Sequence, residues 1–219
     1  MKKEISEKLI KMYLDEKKEV LNNFPIKEVA EAAEIVMKTY ENKGTIYGCG
    51  NGGNAAYVSN MLTDFSMHPF VSDNKSVPMR RDVLRLKTYH LANEGSTLTA
   101  ILNDIGPDDI FSQQLINNRI SHKDLVIGFS GSGNSKNIVK AFDVAKNYGA
   151  KTLGITRGTG GKLKEISDLC IVIPGDSNFP GQTGGNNNNF HYEDALSSIP
   201  HMITGLVRKE LNDYFGNKS

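Results

Sequence analysis

The apolar run Leu125-Val126-Ile127-Gly128-Phe129 passes directly into Ser130-Gly131-Ser132-Gly133-Asn134-Ser135, and an amphipathic stretch follows over 137–148. A short, wholly apolar run is how a strand buried on both faces reads, and such strands belong to parallel sheets covered by helices. The same grammar recurs earlier, where Thr45-Ile46-Tyr47-Gly48 leads through a glycine turn to a helical stretch over 54–65. The runs at 152–156 and 169–173 add two more strands, and the β-branched run at 97–102 reads as another. A helix over 108–117 follows the turn Gly106-Pro107, and Gly149 closes the helix over 137–148. Alternating strands and helices predict an α/β fold with a parallel sheet between two helical layers. Two amphipathic helices, over 4–22 and 27–42, precede the first strand; this extension, residues 1–43, suits packing against another subunit. A last helix is expected over 193–215, kinked by Pro200, which lacks a backbone donor. The whole, 1–219, is expected to be a single domain.

Composition removes several classes of function. No apolar run approaches a membrane span. The start Met1-Lys2-Lys3-Glu4 leads into an amphipathic helix and not into a secretory segment, so a cytoplasmic protein is expected. The 26 basic and 25 acidic residues leave a net charge of +1 and are scattered, which argues against a nucleic-acid partner. Cys49 and Cys170 make neither a disulfide framework nor a CxxC pair and are expected as reduced core residues.

Both glycine turns open helices, where free N–H groups and the positive end of the helix dipole favour an anion. The first, Gly48-Cys49-Gly50-Asn51-Gly52-Gly53, matches G-x-G-x-x-G, with Asp73 twenty residues on. A dinucleotide site would place that acid at the end of a second buried strand. Met67–Val71 contains Pro69 and makes a poor one, so no nucleotide cofactor is expected. In the second turn Ser130, Ser132 and Ser135 supply hydroxyls, while Gly131 and Gly133 let the backbone curl round an anion. No P-loop lysine follows, so a small monophosphate fits better than a nucleoside triphosphate. The glycine- and asparagine-rich segment 174–191 is too long for an ordinary connection and is expected to be a functional loop.

Four stretches together resemble the sugar isomerase (SIS) family, and within it the phosphoheptose isomerases. They are Gly50-Asn51-Gly52-Gly53-Asn54, Asn103-Asp104-Ile105-Gly106, Ser130–Ser135 and Gly160-Gly161-Lys162-Leu163. The resemblance implies a five-stranded parallel sheet in a flavodoxin-like three-layer sandwich, with active sites between the subunits of a homotetramer. It implies a phosphorylated sugar as ligand, converted from ketose to aldose through an enediol, and zinc as the metal. The substrate residues so implied are Asn51, Gly52, Gly53, Asn54, Asp104, Ser130, Gly131, Ser132 and Ser135. The catalytic residues, and the ligands of any metal, are Asp64, Glu193 and His201.

At the metal positions the sequence departs from that pattern. The family's histidine and glutamate on the first helix correspond to Asn60 and Asp64; its glutamine and histidine on the last helix correspond to Glu193 and His201. A neutral amide is a poor zinc ligand. His191 is the alternative nitrogen donor. Asn60 and Asp64 are four residues apart and share a helix face. A carboxylate paired with a histidine can serve both the carbon and the oxygen protons of an isomerisation. Two readings stay open: an aldose–ketose isomerase, and a module that binds a sugar phosphate or a protein partner without catalysis. Arg80, Arg81 and Arg85 are candidates to close over a phosphate or, more simply, form a solvated face.

Overall fold

The computed structural model describes residues 3–71, 84–181 and 188–216. Helices α1 (Lys3–Asn22) and α2 (Ile26–Glu41) lead into β1 (Thr45–Gly50) and α3 (Gly53–Met67). Strand β2 (Lys87–His90), helix α4 (Gly95–Asp104) and helix α5 (Ser112–Asn117) follow. Then come β3 (Leu125–Phe129), α6 (Lys136–Asn147), β4 (Lys151–Arg157), α7 (Gly161–Ile166), β5 (Leu169–Ile173) and α8 (Phe190–Gly216).

The five strands form one sheet in the order β2-β1-β3-β4-β5, and every neighbouring pair is parallel. Alternate residues of each strand face opposite layers. Ile46, Leu125, Ile127, Phe129, Leu153 and Ile155 pack with residues of α2, α3 and α8. Tyr47, Cys49 and Val126 pack on the other side with α5, α6 and α7. Two apolar clusters thus sandwich the sheet, which is the expected three-layer α/β architecture. The strand order reverses direction between β1 and β3, and in open sheets ligands bind beyond the carboxyl ends of the strands at such a point. Both glycine turns lie there.

One expected strand is a helix. Residues 97–102 fall within α4, where Ile101 is buried while Leu102 is exposed. Thr99 Oγ1 bonds back to the carbonyls of Gly95 and Ser96, a hydroxyl-to-turn contact that suits a helix. The place in the sheet is taken by Lys87–His90, a stretch that the sequence does not mark as a strand. As an edge strand with one neighbour, β2 is half-exposed and lacks the apolar run that marks the others. The helix expected over 108–117 is shorter, beginning at Ser112 after a single 3₁₀ turn at Pro107–Asp109. Helix α8 starts at Phe190, earlier than expected, and runs on through Pro200. The segment over 174–181 has no regular structure. Arg80, Arg81, Asp73 and the middle of the long loop lie outside the described residues; the Arg85 guanidinium lies over the Phe70 ring.

Candidate active site

The serine turn is tied down on three sides. The Ser130 amide donates to the Ile155 carbonyl of β4, and the Gly133 amide returns to the Ser130 carbonyl. Leu163 of α7 donates its amide to the Gly133 carbonyl at 2.9 Å. Gly133 has φ +66°, and a methyl group there would overlap the Gly160 carbonyl, so the turn requires glycine. The hydroxyls of Ser130 and Ser135 lie 3.0 Å apart. Ser135 is the N-cap of α6, yet its side chain makes no capping bond to the helix amides. Its hydroxyl is instead turned toward Ser130. The exposed Ser132 hydroxyl accepts the Asn134 amide and completes the rim.

The first glycine turn is held to the start of α6, the helix that the serine turn opens, by a reciprocal amide pair. Asn51 Nδ2 donates to Asn137 Oδ1 at 3.0 Å, and Asn137 Nδ2 donates to Asn51 Oδ1 at 2.9 Å. Gly48 lets α3 approach the sheet, since a methyl there would crowd Val58 and Leu62. Gly52 and Gly53 are exposed on the turn. The buried Asn54 Oδ1 has no hydrogen-bond partner among the described residues.

Asn60 and Asp64 of α3 and His68 at its C-cap stand at successive i+4 positions, so one face presents all three. The Asp64 side chain is 8% exposed, and the two histidines beside it are each 60% exposed. His201 Nε2 of α8 lies 3.3 Å from Asp64 Oδ2, and His68 Nδ1 lies 3.5 Å from Oδ1. The Asn60 amide donates to Oδ2 at 3.4 Å. A buried carboxylate is thus flanked by two solvent-facing imidazoles. His68 held no place among the residues singled out from sequence, although its spacing from Asp64 was legible.

Glu193 is not gathered into this group. It lies in the first turn of α8, its amide bonded to the Asn189 carbonyl, and two turns separate it from His201. That spacing amounts to about 12 Å along the helix axis. Among the described residues no group of three His, Cys, Asp or Glu side chains could hold a metal ion. The Asn60 amide turns its N–H toward Asp64, and both Asp64 oxygens already have partners. The described residues of one chain thus do not bring the expected zinc set of Asp64, Glu193 and His201 together. His191 is no substitute: it is buried, with Nε2 3.2 Å from Glu16 of α1 and its ring stacked on Tyr13. Asp104 sits exposed at the end of α4, accepting a bond from Asn103, and among the described residues no hydrogen bond or ion pair joins it to the other candidate residues.

Helix α1 clasps the segment after β5 and the start of α8. Glu16 accepts bonds from the Ser177 hydroxyl, the Asn178 backbone amide and the Asn178 side chain. Burial works to raise its pKa, but these bonds and His191 outweigh it and hold the carboxyl below its ordinary value. Tyr13 and Lys17 both donate to Asp194 Oδ2. Burial, followed by the Asp194 carboxylate, pushes the Tyr13 phenol well up.

A family model described as the SIS domain matches residues 12–157, more than half of the chain. The chain belongs to the SIS domain family. The phosphoheptose isomerase of Rhodospirillum rubrum is 34% identical over 183 residues, which span 84% of this chain and 86% of that one. The phosphoheptose isomerase of Helicobacter pylori strain P12 is 34% identical over 148 residues, covering 67% of this SIS chain and 70% of its own. Among solved structures, a phosphoheptose isomerase from Neisseria gonorrhoeae superposes with a TM-score of 0.75 at 22% identity, covering 94% of this chain and 99% of that one. This likeness shows that the fold is shared.

Proposed function

We propose that this SIS protein is an aldose–ketose isomerase acting on sedoheptulose 7-phosphate. The observation that carries the chemistry is the buried Asp64 carboxylate held against the exposed His201 imidazole, 3.3 Å away. The relatives named above support the seven-carbon substrate. The phosphate is placed at Ser130, Ser132 and Ser135, with Gly131 beneath it and the first amides of α6 facing it. Asn51, Gly52, Gly53 and Asn54 line the first turn, where the sugar chain runs toward α3; Asp104 is placed at its hydroxyls.

Isomerisation moves one proton from C1 of the ketose to C2, with matching proton exchange at the two oxygens. His201 takes the carbon proton and returns it on the neighbouring carbon, while Asp64 orients the ring and stabilises the imidazolium that forms in between. Such a pair contributes about 10²–10⁴-fold. No step is assigned to zinc or to Glu193.

The extension formed by α1 and α2 is proposed to pack against other copies of the chain, as a homo-oligomer with four subunits. Ile10, Leu14, Leu21 and Ile26 are exposed apolar side chains on these helices. Light scattering on the purified protein gives the subunit count. The work is placed in the cytoplasm, where Cys49 and Cys170 remain free thiols; among the described residues no helix is long and apolar enough to cross a membrane.

Deuterium wash-in tests the reaction. Sedoheptulose 7-phosphate and several five- and six-carbon phosphates are incubated with the protein in deuterated water, with and without zinc. Label next to the carbonyl supports the isomerase. Measurable binding with no label from any of them would establish the binding module that Asn60, standing where the family has histidine, favours.

A further inference from the structure

Arg157 is the last residue of β4, at the carboxyl edge where the serine turn lies, and is 6% exposed. Its backbone amide donates to the Gly131 carbonyl at 3.2 Å, so its main chain is part of the turn's support. Its side chain reaches the same turn by a second route. Nε donates to Asn189 Oδ1 at 2.7 Å. That oxygen lies against the open face of Gly131, 2.5 Å from where a β-carbon would stand. Gly131 is therefore glycine so that the Asn189 amide can seat on it, and Arg157 fixes that amide from behind. One amide group separates the guanidinium from the backbone of the turn. Asp176 Oδ1 lies 3.8 Å from Nη1, but its side chain is 68% exposed, and a carboxylate facing water screens a buried cation only weakly.

We propose that Arg157 is a phosphate-positioning residue. Through Asn189 it sets the curvature of Ser130–Ser135, and its fixed charge behind the turn favours the dianion in front of it. Guanidinium is always charged and weakly hydrated, which suits a permanent cation in a dry layer. A charge held away from water acts at longer range than one on the surface. The inference rests on the reading that the serine turn takes the phosphate. Nothing in the sequence marks Arg157, because it ends an apolar strand and its partner Asn189 lies 32 residues further on.

Two variants of the full chain test it, with inorganic phosphate as the binding probe in calorimetry and sedoheptulose 7-phosphate in the isomerase assay. Arg157→Gln removes the charge and keeps an amide donor for Asn189. It is expected to weaken phosphate binding by about tenfold or more and to raise KM by a similar factor with kcat nearly unchanged. Arg157→Lys keeps the charge and is expected to bind phosphate within about threefold of the natural protein. A folded Arg157→Gln protein that binds phosphate like the natural one overturns the proposal. So does an Arg157→Lys protein that binds phosphate about tenfold or more weakly than the natural one; this second test still stands if the glutamine variant does not fold. Failure of the functional reading is separable. Natural protein that binds phosphate yet isomerises nothing refutes the isomerase and leaves Arg157 to be judged on binding; natural protein that binds no phosphate refutes both.

Discussion

Replacing Gly133 by alanine tests whether the serine turn has the rigid geometry that a phosphate cradle needs. The residue stands at φ +66°, and the new methyl would overlap the Gly160 carbonyl. Left-handed backbone costs an alanine about 1–2 kcal/mol, and forcing an extra carbon into a packed contact about 1–3 kcal/mol. The neighbour cannot yield cheaply, because Gly160 is main chain and Leu163 is bonded to Gly133 itself. The sum, about 2–5 kcal/mol, corresponds to a fall in Tm of roughly 5–15 °C for a chain of this size. Relief by shifting α7 would move Ser132 and Asn134, so phosphate affinity should fall as well. Gly53→Ala is the control for melting: among the described residues nothing lies within 4 Å of its would-be methyl, and it begins a helix. Thermal unfolding followed by circular dichroism, with phosphate titration on the same samples, reads both effects. A Gly133→Ala protein that melts within about 2 °C of the Gly53→Ala control would refute the reasoning.

Changing Ser130 and Ser132 together to alanine removes two hydroxyls and leaves the glycine turn. Sugar-phosphate affinity should fall at least about tenfold, and unchanged affinity in a titration would place the phosphate elsewhere. His201→Asn and Asp64→Asn should each lower kcat by about 10²–10⁴-fold with the fold intact, as steady-state assays will show. His68→Asn, which removes one imidazole from Asp64 and spares the other, should cost only about tenfold. The Glu16 clasp makes stability depend on acid pH. Its folded pKa is depressed, so its contribution is complete above the unfolded carboxylate value of about 4.3 and is lost as pH falls through the lower, folded value. Glu16→Gln should flatten that part of the Tm–pH curve; a curve of unchanged slope would remove Glu16 as its source.

Four strands were legible because each is a continuous apolar run bounded by glycine or polar residues. The fifth was not, since Lys87-Thr88-Tyr89-His90 forms an edge and needs no apolar face. The stretch at 97–102 misled because its β-branched composition resembles a strand, while a single buried residue, Ile101, is what a surface helix requires. Asp64 and His201 could be placed by spacing and resemblance. Glu193 was named by the same resemblance, and its eight-residue distance from His201 is legible too; what the sequence does not show is that His201 is the one that reaches Asp64. Arg157 and Asn189, and the contacts of Glu16, are invisible to local pattern: their partners come from distant parts of the chain.

The reciprocal amides of Asn51 and Asn137 carry a consequence for how this site can change over time. Each side chain both gives and receives, so neither can become an aspartate without facing an oxygen with an oxygen, nor a lysine without losing an acceptor. A lone substitution at either position separates the turn that faces the sugar from the turn that faces its phosphate. Descendants of this sequence are therefore expected to keep both asparagines or to alter both together, with the two positions inherited as one character.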